Sequence, residues 1–133
     1  MLKLEIVTPE KKVVDIDVDA VSVPTATGEI GVLPQHAPLI SALKPGILSY
    51  TQKGASSQLA ITGGFVEVNS DRVAVMTDSA ESAEEIDAVT AKAARDEAQR
   101  ALTAMGSASL EETEAAREHA EAAAVRFQLA SGK

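Results

Sequence analysis

Residues 73–98, VAVMTDSAESAEEIDAVTAKAARDEA, contain a change of period. Val73–Thr77 has the composition of a short strand. Asn69-Ser70-Asp71-Arg72, residues suited to a tight turn, join it to a partner at Phe65–Val68. Past Ser82 the pattern is helical. Ser82-Ala-Glu-Glu85 fits a capping box, in which the serine oxygen meets a free amide and Glu85 reaches back. Ala83–Met105 then runs without glycine or proline, enough for roughly 34 Å of helix at about 1.5 Å per residue. The chain therefore reads as a β unit, residues 1–81, followed by a helical unit, residues 82–133.

Upstream of this junction the alternation continues. Leu2, Leu4 and Ile6 alternate with Lys3 and Glu5. In VVDIDVDAVSV (13–23), Ile16, Val18 and Ala20 share one face and Asp15, Asp17 and Asp19 the other. After Ala20 the phase slips by one, which predicts a bulge or a strand passing from one sheet to a second. Further strands are expected at Ile47–Gln52 and Gln58–Ile61. Many short strands punctuated by Gly and Pro suggest a sandwich or flattened barrel.

Downstream, Gly106 and Ser107 break the helix, and Ser109-Leu-Glu-Glu112 forms a second capping box opening a helix to about Leu129. The apolar residues of this hairpin are mainly alanines. Ile86, Val89, Leu102, Met105, Leu110, Val125, Phe127 and Leu129 are its larger members. Burial stabilises by about 25 cal/mol per Å², so an alanine stripe holds less firmly than a leucine one. High helix propensity keeps each helix formed while docking stays weak, and such helices can move as units. A static packed hairpin fits the same composition.

The totals narrow the function. Hydrophobic residues make up 45% of the 133 residues, so the chain should fold. Its aromatics are Tyr50, Phe65 and Phe127, too few for a base-stacking surface. The net charge of −8 disfavours nucleic acid and anionic lipid as partners. Without cysteine there is no disulfide, thiol nucleophile or thiolate zinc site. The opening MLKLEIVTPEKK has no apolar run suited to a signal peptide or membrane span. Work at a membrane would require binding to another protein, not insertion into lipid.

Signatures of catalysis are missing. His36 and His119 lie in different halves with no matching carboxylate pattern. His36 suits a turn between Pro34 and Pro38, and His119 a solvated helix face. There is no G-x-S-x-G elbow. Asp15, Asp17 and Asp19 lack the central glycine and late glutamate of a calcium loop, so a solvated strand face is expected. Gly63-Gly64 has no following Lys-Ser/Thr and better suits a close turn or bulge entering the Phe65 strand. Gly28-Glu-Ile-Gly31 has the spacing of a nucleic-acid clamp, with an acidic interior of the wrong sign.

TGEIGVLPQHAPLISALKPGIL (27–48), ITGGFVEV (61–68) and NSDRVAVMTDSAE (69–81) resemble the epsilon subunit family of bacterial F-type ATP synthases. The resemblance implies a β + α fold, a ten-stranded β sandwich followed by a two-helix antiparallel hairpin. It also implies a non-catalytic subunit of the rotating central stalk, with no cofactor, peripheral to the cytoplasmic face of the bacterial plasma membrane. The sandwich would grip the gamma subunit and rest on the c-ring of a proton- or sodium-driven enzyme. Glu29, Ile30, Gly31, Val32, Leu33 and His36 would supply contacts, on a loop held rigid by its glycines and prolines. The hairpin would lie folded or extend transiently toward the catalytic alpha/beta head, impeding hydrolysis.

Some members of that family bind ATP through I-D-x-x-R-A. Here Ile86 and Asp87 keep the opening, but Thr90 stands where the arginine would meet phosphate. Glu97 and Ala122 replace further basic residues, leaving Arg126 as the remaining match. The second helix carries Arg117 and Arg126 against Glu111, Glu112, Glu114, Glu118 and Glu121, a poor complement to an acidic partner segment. An adaptor of the same architecture would share the composition but not the joint β motifs. A small hydrolase would need a nucleophile and base that cannot be named.

Overall fold

The computed structural model describes residues 1–105 and 110–132. Ten strands precede two helices: β1 Leu2–Val7, β2 Lys12–Val18, β3 Ala20–Thr25, β4 Gly28–Val32, β5 His36–Leu43, β6 Gly46–Gln52, β7 Ala55–Ile61, β8 Gly64–Ser70, β9 Arg72–Thr77, β10 Ala80–Ser82, α1 Ala88–Ala104 and α2 Leu110–Ser131. Pairing runs β10-β7-β6-β3-β5-β8-β9-β1-β2, with β4 on the free side of β3. β3 and β5 meet through a single register pair, Thr25 with Leu43, so the path folds into two five-stranded layers. The layers are β10-β7-β6-β3-β4 and β5-β8-β9-β1-β2, a sandwich close to a flattened barrel.

The core follows from alternation. Leu2, Leu4, Ile6, Val18, Val23, Leu48, Val66, Val68, Val73 and Val75 are fully or almost fully buried between the layers. The phase slip after Ala20 is the layer crossing. β2 pairs with β1 in one layer and β3 with β4 and β6 in the other. Asp19 lies between them, accepting the Lys53 amide at 2.9 Å.

Residues 28–38 depart from expectation. They form strand β4, a turn and the start of β5, rather than a loop. Pro38 is accommodated because the β5–β8 register shifts between His36 and Leu39, where a ladder donor is not required. His36 opens β5 opposite Ser70 rather than filling a turn. Gly31 is an ordinary strand residue with open space where a side chain would begin, whereas Gly28 has φ +129°. Gly63 lies in the bend that enters β8, and Gly64 pairs in regular register with β5 and β9 rather than in a bulge. The Gly64 φ is +135°, and a Cβ there would collide with the Met76 carbonyl.

The first helix starts later than expected. The Ser82 amide and hydroxyl both donate to a Glu85 carboxylate oxygen at 3.0 Å, but this box closes only a 3-10 turn, Ala83–Glu85. Ile86 is then extended and buried, and Asp87 caps α1 by accepting from the Val89 and Thr90 amides. Burying Ile86 against the sandwich outweighs extending the helix through it. The break at Gly106-Ser107 and the start of the second capping box, Ser109, lie outside the described residues. Ala98 meets Ala120 and Ala123, while Ala91 meets Leu129 and Ala130, so the helices are antiparallel.

Candidate functional site

The segment singled out at Glu29–His36 alternates along β4, which divides its residues between environments. Val32 is 1% exposed and Ile30 packs against the core, so neither presents a side chain to a partner. Glu29 and Gly31 point outward. Glu29 accepts the Ser22 hydroxyl across the β3–β4 pair. It lines a groove of about 530 Å³ with Pro24, Lys44, Gln58, Val125 and Gln128, so it faces the side of α2. Leu33 is 63% exposed where β4 leaves the sheet.

Beyond Leu33 the chain turns through Gln35, whose φ is +66°. The Gln35 amide donates to Asp71 Oδ1 at 2.9 Å, and the Asp71 carbonyl accepts from the Lys3 amide at 2.7 Å. The 33–35 turn is thereby fixed to the Ser70-Asp71 hairpin turn, and the two form one end of the sandwich. Asp71 was not legible as part of this site because it is 36 residues from Gln35. A groove of about 380 Å³, lined by Ser22, Gly31, Leu33, Tyr50 and Thr51, opens beside this end.

A second surface was not found from sequence. On the outer face of the β5-β8-β9 layer, Ile40 is 72% exposed, Phe65 57% and Met76 46%. The register sets Phe65 between Ala42 and Met76, and Glu67 between Ile40 and Ala74. Ile40, Phe65 and Met76 thus form an apolar strip, interrupted by the exposed Glu67, on an open sheet face. Toward β1 it gives way to charge, where Arg72 donates to Glu5 at 3.2 Å and Lys3 reaches Asp15 at 3.9 Å. The alternation of Phe65 with buried Val66 and Val68 was the available signal.

The corresponding face of the other layer is covered by the hairpin. Ile47 and Ala60 meet Leu129 and Ala130, with Ile86, Ala91, Val125 and Phe127 completing the cluster. Ile86 and Asp87 thus serve the junction and the α1 cap, and Thr90 Oγ1 donates to Asp87 Oδ2 at 3.2 Å. Arg126 donates through Nε and Nη2 to the two Glu81 carboxylate oxygens at 2.7 and 3.1 Å. Arg95 pairs with Asp96 at 2.9 Å and lies 4.4 Å over the Phe127 ring. That guanidinium holds the Asp96 carboxyl below its ordinary range. Hydrogen bonds from Ser82 do the same for Glu85. His119 is exposed on α2. Among the described residues no group of His, Asp or Glu is arranged to hold a metal ion, and no helix is long and apolar enough to cross a membrane.

Comparison with known proteins gives consistent matches. The family model for the ATP synthase delta/epsilon chain β-sandwich domain matches residues 1–83. An ATP synthase epsilon chain of Desulforamulus reducens is 48% identical over 105 residues, covering 79% of this chain and 80% of its own. That of Geotalea uraniireducens is 42% identical over 132 residues, covering 98% and 94%. Among solved structures, a chain of the Euglena gracilis mitochondrial ATP synthase OSCP/F1/c-ring assembly superposes with a TM-score of 0.78 at 27% identity. That match covers 98% of this chain and 79% of the other. A chain of the Tetrahymena thermophila central stalk/c-ring shares the fold, with a TM-score of 0.63 at 16% identity, covering 97% and 96%.

Proposed function

The chain belongs to the epsilon-chain family of F-type ATP synthases, and from that premise we propose that it grips gamma with the open face of its sandwich and rests the turn end on the c-ring. The epsilon chain is a stalk subunit and not a catalytic one. Its physical task is to transmit torque between two partners, which requires two separate surfaces on a stiff body.

The observation that carries this reading is the uncovered apolar strip of Ile40, Phe65 and Met76. A sandwich whose other outer face is sheathed by its own helices leaves this one for a partner. Phe65 at the centre of the strip is the natural anchor, since large aromatics dominate contact energies. The c-ring reading rests on the turn end. Leu33 is available there, and the bond from the Gln35 amide to Asp71 keeps the turn from yielding under load. Within the Glu29–His36 segment, this reading assigns contact to Leu33 and the backbone of His36, with Glu29 and Gly31 on the flank. Ile30 and Val32 hold the strand in place.

In this reading the chain couples c-ring rotation, driven by protons or sodium ions, to the gamma shaft. It works at the cytoplasmic face of the bacterial plasma membrane without inserting into lipid. The hairpin is a regulatory element, which impedes hydrolysis when it leaves the sandwich and contacts the alpha/beta head. Asp87 and Arg126 are engaged inside the chain, which favours docking by internal contacts over a nucleotide-held hairpin.

Phe65→Asp and Ile40→Asp test the proposal, because both side chains point away from the core. Copurification with gamma and the c-ring should fall at least tenfold for Phe65→Asp, with thermal stability of the isolated chain unchanged. Full retention of gamma by a folded Phe65→Asp chain would overturn the assignment of this face.

A further inference from the structure

The register aligns Ile47, Ala60 and Glu81 in one row across β6, β7 and β10, and this row faces the hairpin. Its first two members meet α2 through apolar contact. Such contact is non-directional, rewarding buried area without fixing one orientation of the helix on the sheet. The third member makes a different kind of bond. Arg126 meets Glu81 with two parallel N–H···O bonds, the arrangement that fixes both distance and orientation. Arg126 is 33% exposed at its side chain and Glu81 27%, so screening by water is incomplete. Arg95, on the neighbouring helix, is held by Asp96 and the Phe127 ring. Glu81 and Arg126 lie 45 residues apart, one in the last strand and the other in the last helix.

We propose that the Arg126–Glu81 pair is a latch that sets the population of the docked hairpin, and that breaking it releases both helices from the sandwich as a unit. The latch defines the seat of α2, and the alanine-rich cluster fills it once the helix is in place. Docking is then sensitive to ionic strength and to any partner group that competes for either charge. The latch is a property of the single chain and can fail without affecting the stalk reading, which rests on the opposite face.

Because the chain has no cysteine, labels can be placed at will. Spin labels on Ser57→Cys and Arg117→Cys of the full chain report the distance between β7 and α2. The unmodified chain should give a short distance as its main population and a longer one as a measurable minority. Arg126→Glu should raise the ratio of undocked to docked chain about fivefold, the upper range for a well-formed pair near the surface. Glu81→Arg should do the same, and Glu81→Arg with Arg126→Glu should recover the short distance. Arg126→Lys, which keeps the charge and loses the fork, should fall between. Hydrogen exchange at β8 and β9 in the same samples confirms an intact sandwich. Should charge reversal cost helical signal, Arg126→Gln and Glu81→Gln replace it with the same expectation. Unchanged distances in the single variants, or a swapped pair as displaced as either single variant, would overturn the latch.

Discussion

Gly64 and Gly31, both strand glycines, have opposite requirements. Gly64 has φ +135° and abuts the Met76 carbonyl, so any side chain there strains the backbone and forces β8 from β9. Gly64→Ala should cost roughly 2–4 kcal/mol in chemical denaturation. Gly31 has neither constraint, and Gly31→Ala should leave the midpoint within about 0.5 kcal/mol of the unmodified chain. Loss of c-ring association by Gly31→Val in a chain of unchanged stability would then report on the surface itself. Glu85 supplies a pH-dependent counterpart. Its carboxyl is held below the ordinary value of 4.5 by hydrogen bonds from Ser82. A lowered folded value means the stabilisation is complete above that pH and lost as pH falls through the folded value. Protection at residues 82–87, taken relative to the intrinsic exchange rate that itself slows toward acid, should therefore fall below about pH 4.5 more steeply than in Glu85→Ala, where this contribution is missing at every pH. Parallel curves for the two chains would remove the role of the box.

At the level of elements, the alanine seam between the helices determines how the hairpin responds to added volume. Ala98 is 5% exposed and meets Ala120, Ala123 and Leu102, so it faces α2 and not the sandwich. Ala98→Leu should therefore overpack the seam, costing about 1–3 kcal/mol of helical stability and raising hydrogen exchange in both helices while β8 and β9 stay protected. Tighter protection of the helices would show that the seam has unused space. The elements also show which features local patterning can reveal. Alternation in Leu2–Ile6 was enough to identify a strand and its apolar face, and composition was enough to place strands at Ile47–Gln52 and Val73–Thr77. β4 and β5 were hidden because glycines and prolines mark loops by default, and the register shift that accommodates Pro38 depends on β8. The late start of α1 was hidden because Ser82 and Asp87 are both good caps, and the choice between them depends on where Ile86 is buried. The Phe65 strip and the Arg126–Glu81 pair were harder still. One needs knowledge of which sheet face the hairpin leaves open, the other of a contact across 45 residues.

At the scale of the whole molecule, the sandwich has a closed core and the hairpin does not. All of the large buried residues between the layers come from β1–β9, whereas the hairpin cluster borrows Ile47 and Ala60 from the sheet. The two units should therefore separate, but the cut must respect β10. Ending the chain at Ala80 would remove Glu81 and Ser82, which pair with Ala60 and Leu59, and would leave the edge of β7 bare. Ending it at Glu85 keeps that strand and the turn that closes it. Residues 1–85 should fold cooperatively, with roughly 1–2 kcal/mol lost through uncovering Ile47 and Ala60, and should retain gamma through the opposite face. In the assembled enzyme this shortened chain should support synthesis at the level of the full chain while ATP hydrolysis rises, because the element proposed to impede it is gone. Equal hydrolysis with the full and shortened chains would leave the hairpin as a static cover for one sheet. Loss of synthesis would instead mean that the helices carry torque.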